Sequence, residues 1–410
     1  MKKSIPLILM KNAIKLLILM ILIFPTVYQI QKLVIIVVIT FMYFLISVEK
    51  ITVNYRVLIW GFSYIITNAI FLFLGSAKNP EIFRVLAPIH LIWPLLYFVV
   101  FIFPFSLKEI KIDLFSFFPK IGLVLSILTI YIYLSYTGRV PVINELSVLV
   151  PHNINSYGGY VSYFSPNITS FFCLMPISIA YVLFPKEKNL FALNFVSLIS
   201  MTLCSLLIGR RALLITTGII FILALFYKIL VNKIGVRKIF KYFFLLIVIS
   251  FFMYYVINVF NLNLRLFNFD IIADISDTER KLQFVDLIDS WKKFPIFGVG
   301  FGINSAHVIR SFTVPGLYEL SYVALLFQTG IIGSTIYFFL YGWLGLRLFK
   351  QFYFTKNIQY LAIFLSYISI MIAHGTNPYI TSFDGMWIIF FVLGYINKYS
   401  STISERGEHF

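Results

Sequence analysis

Apolar and polar positions come in blocks along this chain. Apolar runs long enough to cross the roughly 30 Å hydrocarbon core of a bilayer as a helix recur from one end to the other. They predict about twelve spans, near 13–30, 33–48, 56–75, 85–105, 120–137, 164–185, 190–208, 212–231, 239–260, 317–348, 358–374 and 383–397. The predicted fold class is an all-α polytopic integral membrane protein, a single membrane domain over residues 1–410. The N-terminal run MKKSIPLILMKNAIKLLILMILIF has no small-residue cleavage site and reads as a retained first span.

The pattern breaks at length once, over residues 261–316. Its sequence is NLNLRLFNFDIIADISDTERKLQFVDLIDSWKKFPIFGVGFGINSAHVIRSFTVPG, a long loop outside the bilayer. Ser276 to Glu279 fits a capping box and predicts a helix start there. Beyond it Phe284, Leu287, Ile288, Trp291 and Phe294 recur at helical spacing, while Lys281, Asp286, Asp289, Lys292 and Lys293 fall largely off that stripe. This predicts an amphipathic helix on the outer surface of the bundle or in the membrane interface. Arg280 projects with the stripe, where it can meet an anion or snorkel to a lipid phosphate. The following PIFGVGFG places Gly298, Gly300 and Gly302 at alternate positions, which suits tight turns, a close backbone approach to a ligand, or simply the end of the helix. A second, shorter polar segment, 138–167, holds Arg139, His152 and an aromatic GGYVSYF.

Composition sharpens the class. Sixty per cent of residues are hydrophobic, 12% are charged, and mean hydropathy is +0.93, values foreign to a soluble domain of this length. The net charge of +17 is unevenly spread. With the Lys-rich N-terminus in the cytoplasm, Lys50, Lys108, Lys111, Lys186, Lys233, Lys238 and Lys350 all fall inside, in alternation with poorly charged outer turns. The basic balance is therefore a topology signal, and it argues against a nucleic-acid partner. An even number of spans leaves both termini cytoplasmic. Cys173 and Cys204 lie inside apolar runs, as small packing residues with no disulfide or metal-ligand spacing.

A few polar residues stand out against this background. Arg210 and Arg211 separate two apolar runs on the outer side, where positive charge is disfavoured, so they either bind an anion or keep a hairpin in water. Glu319 is the one acid in the run GLYELSYVALLFQTGIIG; it can act as a base, orient an arginine, or merely suit a helix N-terminus. His307 and His152 are candidates for glycan contact. His374, near Asn377 and Asp384, fits the polar end of a helix hairpin. No D-x-D pair occurs in the first outer loop, and no H-E-x-x-H, Walker A or channel-filter pattern is present.

These parts together, with IGRRALL in an outer hairpin, Arg280 upstream of PIFGVGFG, then YELSYVALLFQTGIIG, resemble the O-antigen polymerase and ligase superfamily. The closest resemblance is to the Wzy-type polymerases of bacterial surface polysaccharides, at motif level from about Leu203 to Gly333 and as topology over most of the chain. The resemblance implies an enzyme of the bacterial cytoplasmic (inner) membrane that transfers a polyprenyl-diphosphate-linked glycan onto the non-reducing end of another lipid-linked repeat unit. It implies that Arg210, Arg211 and Arg280 hold the diphosphate and that no cofactor or metal is called for. Membrane lipids and a chain-length regulator are the further partners it suggests. Ligases of the superfamily carry a histidine about eleven residues before the turn glycine; counting back from Gly330 reaches Glu319 instead, which disfavours a ligase and gives the acceptor-activating role to a carboxylate. A flippase of lipid-linked sugars is the contrasting expectation, marked by two related halves and intramembrane charges spread through the bundle.

Overall fold

The structure is a computed structural model that describes residues 4–46, 53–107, 113–143, 153–157, 160–164, 167–185, 187–208, 211–232, 272–311 and 313–404. The helices are α1 (Ser4–Ile23), α2 (Gln29–Ile46), α3 (Tyr55–Ser76), α4 (Glu81–Ala87), α5 (Trp93–Ser106), α6 (Phe118–Tyr136), α7 (Ile168–Leu183), α8 (Lys188–Ile208) and α9 (Arg211–Asn232). They continue with α10 (Ile272–Trp291), α11 (Ser321–Thr355), α12 (Ile358–His374) and α13 (Phe383–Ser404). Eight helical stretches among the described residues are long and apolar enough to cross a membrane, while α7 and α12 are apolar but shorter. The chain is thus a polytopic helical membrane protein. The predicted span 239–260 lies outside the described residues.

Three expectations need correction. The first helix ends at Ile23 rather than near residue 30, because Pro25 lacks the amide a helix needs and forces Phe24 away from helical geometry. Thr26 and Tyr28 then turn the chain with positive φ (69° and 58°). Second, α10 is already helical at Ile272, so Ser276 sits inside the helix rather than at its start. Third, the segment after α6 contains a short antiparallel hairpin, β1 (Asn153–Tyr157) paired with β2 (Tyr160–Phe164), in a chain expected to be all helix.

Burial tells where each helix sits. In α13 every residue from Met386 to Asn397 is buried, and α7 is nearly as enclosed, as expected of helices apolar on all sides. Around α13 the rings of Tyr97, Phe101, Phe105, Phe390, Phe391 and Tyr395 pack edge to face or offset, with centroids 5.0 to 6.3 Å apart. The outer helices turn Ile8, Val37, Phe41, Phe62, Ile127, Phe226 and Phe339 outward, an apolar belt that needs lipid to cover it.

Hydrogen bonds between helix ends sort those ends into two groups. At one end, Ser170 Oγ donates to Leu22 O (2.7 Å), Phe301 N to Phe71 O (2.9 Å) and Tyr322 Oη to Met371 O (2.6 Å). At the opposite end, Asn54 N donates to Asn397 Oδ1 (2.9 Å) and Lys228 Nζ to Leu183 O. Helices that traverse one slab alternately up and down place their ends in this way. The loop 292–320 belongs to the first group, called here the loop end.

One buried ion pair braces that end. Lys32 Nζ lies 2.5 Å from Asp384 Oδ1 and donates to Phe24 O, while Thr26 N and Gln29 Nε2 donate to Asp384 Oδ2. The carboxylate thus ties the α1–α2 turn to the start of α13.

The glycine segment 295–302 lies across a break in α11. Gly330 has φ 63° and ψ −170°, so the helix stops and restarts there. The carbonyls freed at the break, Phe327 O and Gln328 O, accept from Val299 N (3.2 Å) and Gly300 N (2.8 Å). The freed amides of Ile331 and Ile332 donate to Pro295 O (2.9 Å) and Ile296 O (3.2 Å). A Cβ on Gly298 would meet Gln328 C at 2.5 Å, and one on Gly300 would meet Gly75 N at 2.1 Å. The glycines therefore permit a close backbone approach, but the partner is the chain's own helices α3 and α11.

Candidate functional site: an arginine–glutamate cluster beside a neutral cavity

Glu319 stands just before α11, where its carboxylate is partly exposed and meets two arginines. Arg280 Nε donates to Oε2 at 2.9 Å and Arg310 Nη2 approaches Oε1 at 3.1 Å. Each residue reaches this point for a local reason. Arg280, Gln283 and Leu287 share one face of α10; Leu287 is fully buried against Val299, Tyr318, Ala324 and Phe327, and Gln283 Oε1 accepts from Glu319 N (3.2 Å). That face aims Arg280 inward at the head of α11.

Arg310 is placed by a buried carboxylate. Asp286 Oδ2 accepts from Ser305 Oγ (2.6 Å), His307 N (3.0 Å) and Val308 N (2.7 Å), pinning the chain just before Arg310. Tyr318 Oη joins the same network, accepting from Ser305 N (2.6 Å) and donating to Val308 O (3.1 Å). Burial pushes the Asp286 carboxyl up, but these three hydrogen bonds outweigh it and hold the group below its ordinary value. Across the loop, Lys78 Nζ donates to Val299 O (3.0 Å) and lies over the Phe294 ring, and burial lowers its pKa below the usual lysine value.

The face of α10 turned to the protein differs from the predicted stripe. Gln283, Asp286, Leu287 and Ser290 are buried, whereas Phe284 and Phe294 are about half exposed, at 49% and 50%. The polar network with residues 305–308 satisfies the inward groups, which frees Leu282, Phe284 and Val285 to face outward. In a membrane protein an outward apolar face is no contradiction, because lipid covers it.

Next to the cluster lies an open cavity, whose wall includes Tyr318 and Ser321 on either side of Glu319. Tyr64 and Asn68 of α3 line it, with His90, Phe301, Tyr318 and Ser321. So do Gln328, Tyr337 and Tyr341 of α11 and His374 at the end of α12. His90 sits in a π-helical turn, Pro88–Ile92, between α4 and α5, and its ring stacks on Phe301 at 4.0 Å and 13°. Such turns widen a helix and re-aim its side chains. Tyr337 Oη hydrogen-bonds Asn68 Oδ1, and the buried Asn68 Nδ2 is left without a hydrogen-bond partner.

The structure thus unites Arg280 with Glu319. It does not bring the exposed His307 side chain to that cluster; the residue contributes its backbone amide to Asp286. Arg211 opens α9, while Arg210 and His152 lie outside the described residues. His374, expected only to finish a hairpin, lines the cavity. Arg310 was missed because a single arginine in a loop has no periodicity to mark it. The cavity wall did leave a signal: Tyr64, Thr67, Asn68 and Phe71 share one face of an otherwise greasy helix. Among the described residues, no three His, Cys, Asp or Glu side chains converge to hold a metal ion.

No known family model matches the chain, and no curated protein matches it significantly. The functional reading therefore rests on the residues themselves.

Proposed function

We propose that this chain is a membrane glycosyltransferase that polymerises lipid-linked oligosaccharide repeat units at the outer face of a bacterial cytoplasmic membrane. The observation that carries the reading is the convergence of Arg280 and Arg310 on Glu319, whose chain neighbours Tyr318 and Ser321 line a polar cavity. Two guanidiniums held side by side match a diphosphate, on which negative charge grows as the anomeric C–O bond breaks. At rest Glu319 holds them in place. When the diphosphate accepts their N–H groups, the carboxylate oxygens are released to accept a proton. The acceptor hydroxyl oxygen then bonds to the anomeric carbon, the carbon–oxygen bond to the diphosphate breaks, and the hydroxyl proton passes to Glu319. Arg210 and Arg211 are further candidates for holding the same diphosphate.

About twelve spans with both termini in the cytoplasm put this cluster outside, on the side where a lipid-linked donor is presented. The sorting of helix ends into two groups supports that alternation. Membrane lipid and a chain-length regulator complete the proposed setting.

Deletion of the gene followed by electrophoresis of surface glycan tests the reading. Loss of the polymer ladder with a single repeat unit retained supports a polymerase. Loss of all exported units would favour a flippase, and polymer stranded on its lipid carrier would favour a ligase.

A further inference from the structure

We infer that the cavity behind the arginine cluster is a subsite for one uncharged sugar residue, and that it excludes uronic or phosphorylated sugars from that position; the inference rests on the glycosyltransferase reading above. The cavity reaches deep. Asn68 lies about 12 Å along α3 below its end at Ser76, and Tyr64 lies one further turn down. Polar groups at such depth in an apolar bundle need partners, and they mark ligand paths.

The chemistry of the wall narrows the ligand. Its polar groups are the Asn68 and Gln328 amides, tyrosine hydroxyls, the Ser321 and Thr381 hydroxyls and the imidazoles of His90 and His374. Asn68 is 2% exposed; Tyr337 Oη donates to its Oδ1, and its Nδ2, on the side of the Tyr64 hydroxyl, makes no full hydrogen bond. Among the described residues, no Lys, Arg, Asp or Glu lines the cavity. A sugar ring, with hydroxyls that both donate and accept and an apolar C–H face, suits these groups. A carboxylate or phosphate would lose its water there and find no cation among the described lining residues.

The cations are close by but kept apart. Tyr318 and Ser321 line the cavity, while Glu319 between them pairs with Arg280 and Arg310. A neutral compartment thus adjoins a charged one, matching a glycosyl diphosphate whose first sugar carries no charge.

Saturation-transfer NMR on the full-length protein in detergent tests this. The probes are methyl glucoside, methyl galactoside and methyl N-acetylglucosaminide, the methyl glycosides of glucuronic and galacturonic acid, and inorganic pyrophosphate. At least one neutral glycoside should bind about tenfold or more tightly than its uronate counterpart. Asn68→Leu should weaken that glycoside about tenfold and leave pyrophosphate binding unchanged. His90→Phe, which retains the ring against Phe301, should also weaken it and serves if Asn68→Leu does not fold. Uronates that bind as well, variants without effect, or no glycoside binding at all would overturn the subsite. Neutral-glycoside binding of this pattern in a protein whose deletion leaves the ladder intact would keep the subsite and sink the polymerase reading.

Discussion

Glu319 illustrates how one carboxylate can have several plausible roles until its neighbours are known. Its surroundings favour a combined one, because both of its oxygens meet arginines. A Glu319→Gln side chain has only one acceptor oxygen and no charge, so it can neither hold both guanidiniums nor take up a full proton. Transfer in this variant should fall by about 10²–10³-fold with the protein still in the membrane. Measured turnover of lipid-linked donor near the wild-type value would move the base elsewhere. Asp286 makes a separate prediction about folding. Its folded pKa is depressed, so it stabilises the protein fully above the ordinary carboxylate range and loses that contribution as pH falls below about 4. Asp286→Ala should lower stability by about 2–3 kcal/mol at neutral pH, and the gap in unfolding temperature from wild type should narrow in acid. A gap constant from neutral to acid pH would show that the carboxylate is not a source of stability. Of these residues, Arg280 and Glu319 were legible in the sequence because each interrupts an apolar pattern. Arg310 and Asp286 were not, since charges in an outer loop look alike until a hydrogen-bond network selects among them.

Among the elements, the long apolar helices follow the hydropathy, whereas several helix ends and the inward face of α10 do not. The bounds of α3, α6, α8 and α12 lie close to their predicted spans, because long apolar runs bounded by charge define them. The capping box misled because Ser276 to Glu279 satisfies a local rule that the longer helix overrides. The break at Gly330 did not show in the hydropathy, because an apolar run with scattered glycines reads as continuous helix; only the resemblance gave Gly330 as a turn glycine. The break depends on a distant segment, 295–302, whose backbone satisfies both of its halves. A Cβ at Gly330 would stand 2.2 Å from Ile296 O, so Gly330→Ala must separate the two segments. Gly342 has open space around the same position. Gly330→Ala and Gly298→Ala should therefore lower the unfolding temperature and turnover together, whereas Gly342→Ala should change neither. Wild-type turnover in Gly330→Ala would mean that the docking of 295–302 is dispensable.

At the scale of the whole molecule, hydropathy and basic loops were enough to identify a polytopic membrane protein. The cavity was not evident, because its wall is assembled from α3, the π-helical turn, α11 and α12, and its polar residues are neutral and scattered among apolar ones. The bundle is proposed to place a diphosphate clamp beside a polar cavity and thereby to join repeat units. The most direct test uses purified protein reconstituted in lipid vesicles with a polyprenyl-diphosphate-linked repeat unit as the sole substrate, the products being sized by mass spectrometry. Carrier-linked dimers and longer products are expected from the wild type, and neither from Arg280→Ala or Arg310→Ala. A wild-type protein that leaves the repeat unit unjoined, or arginine variants that join it at the wild-type rate, would contradict the proposal.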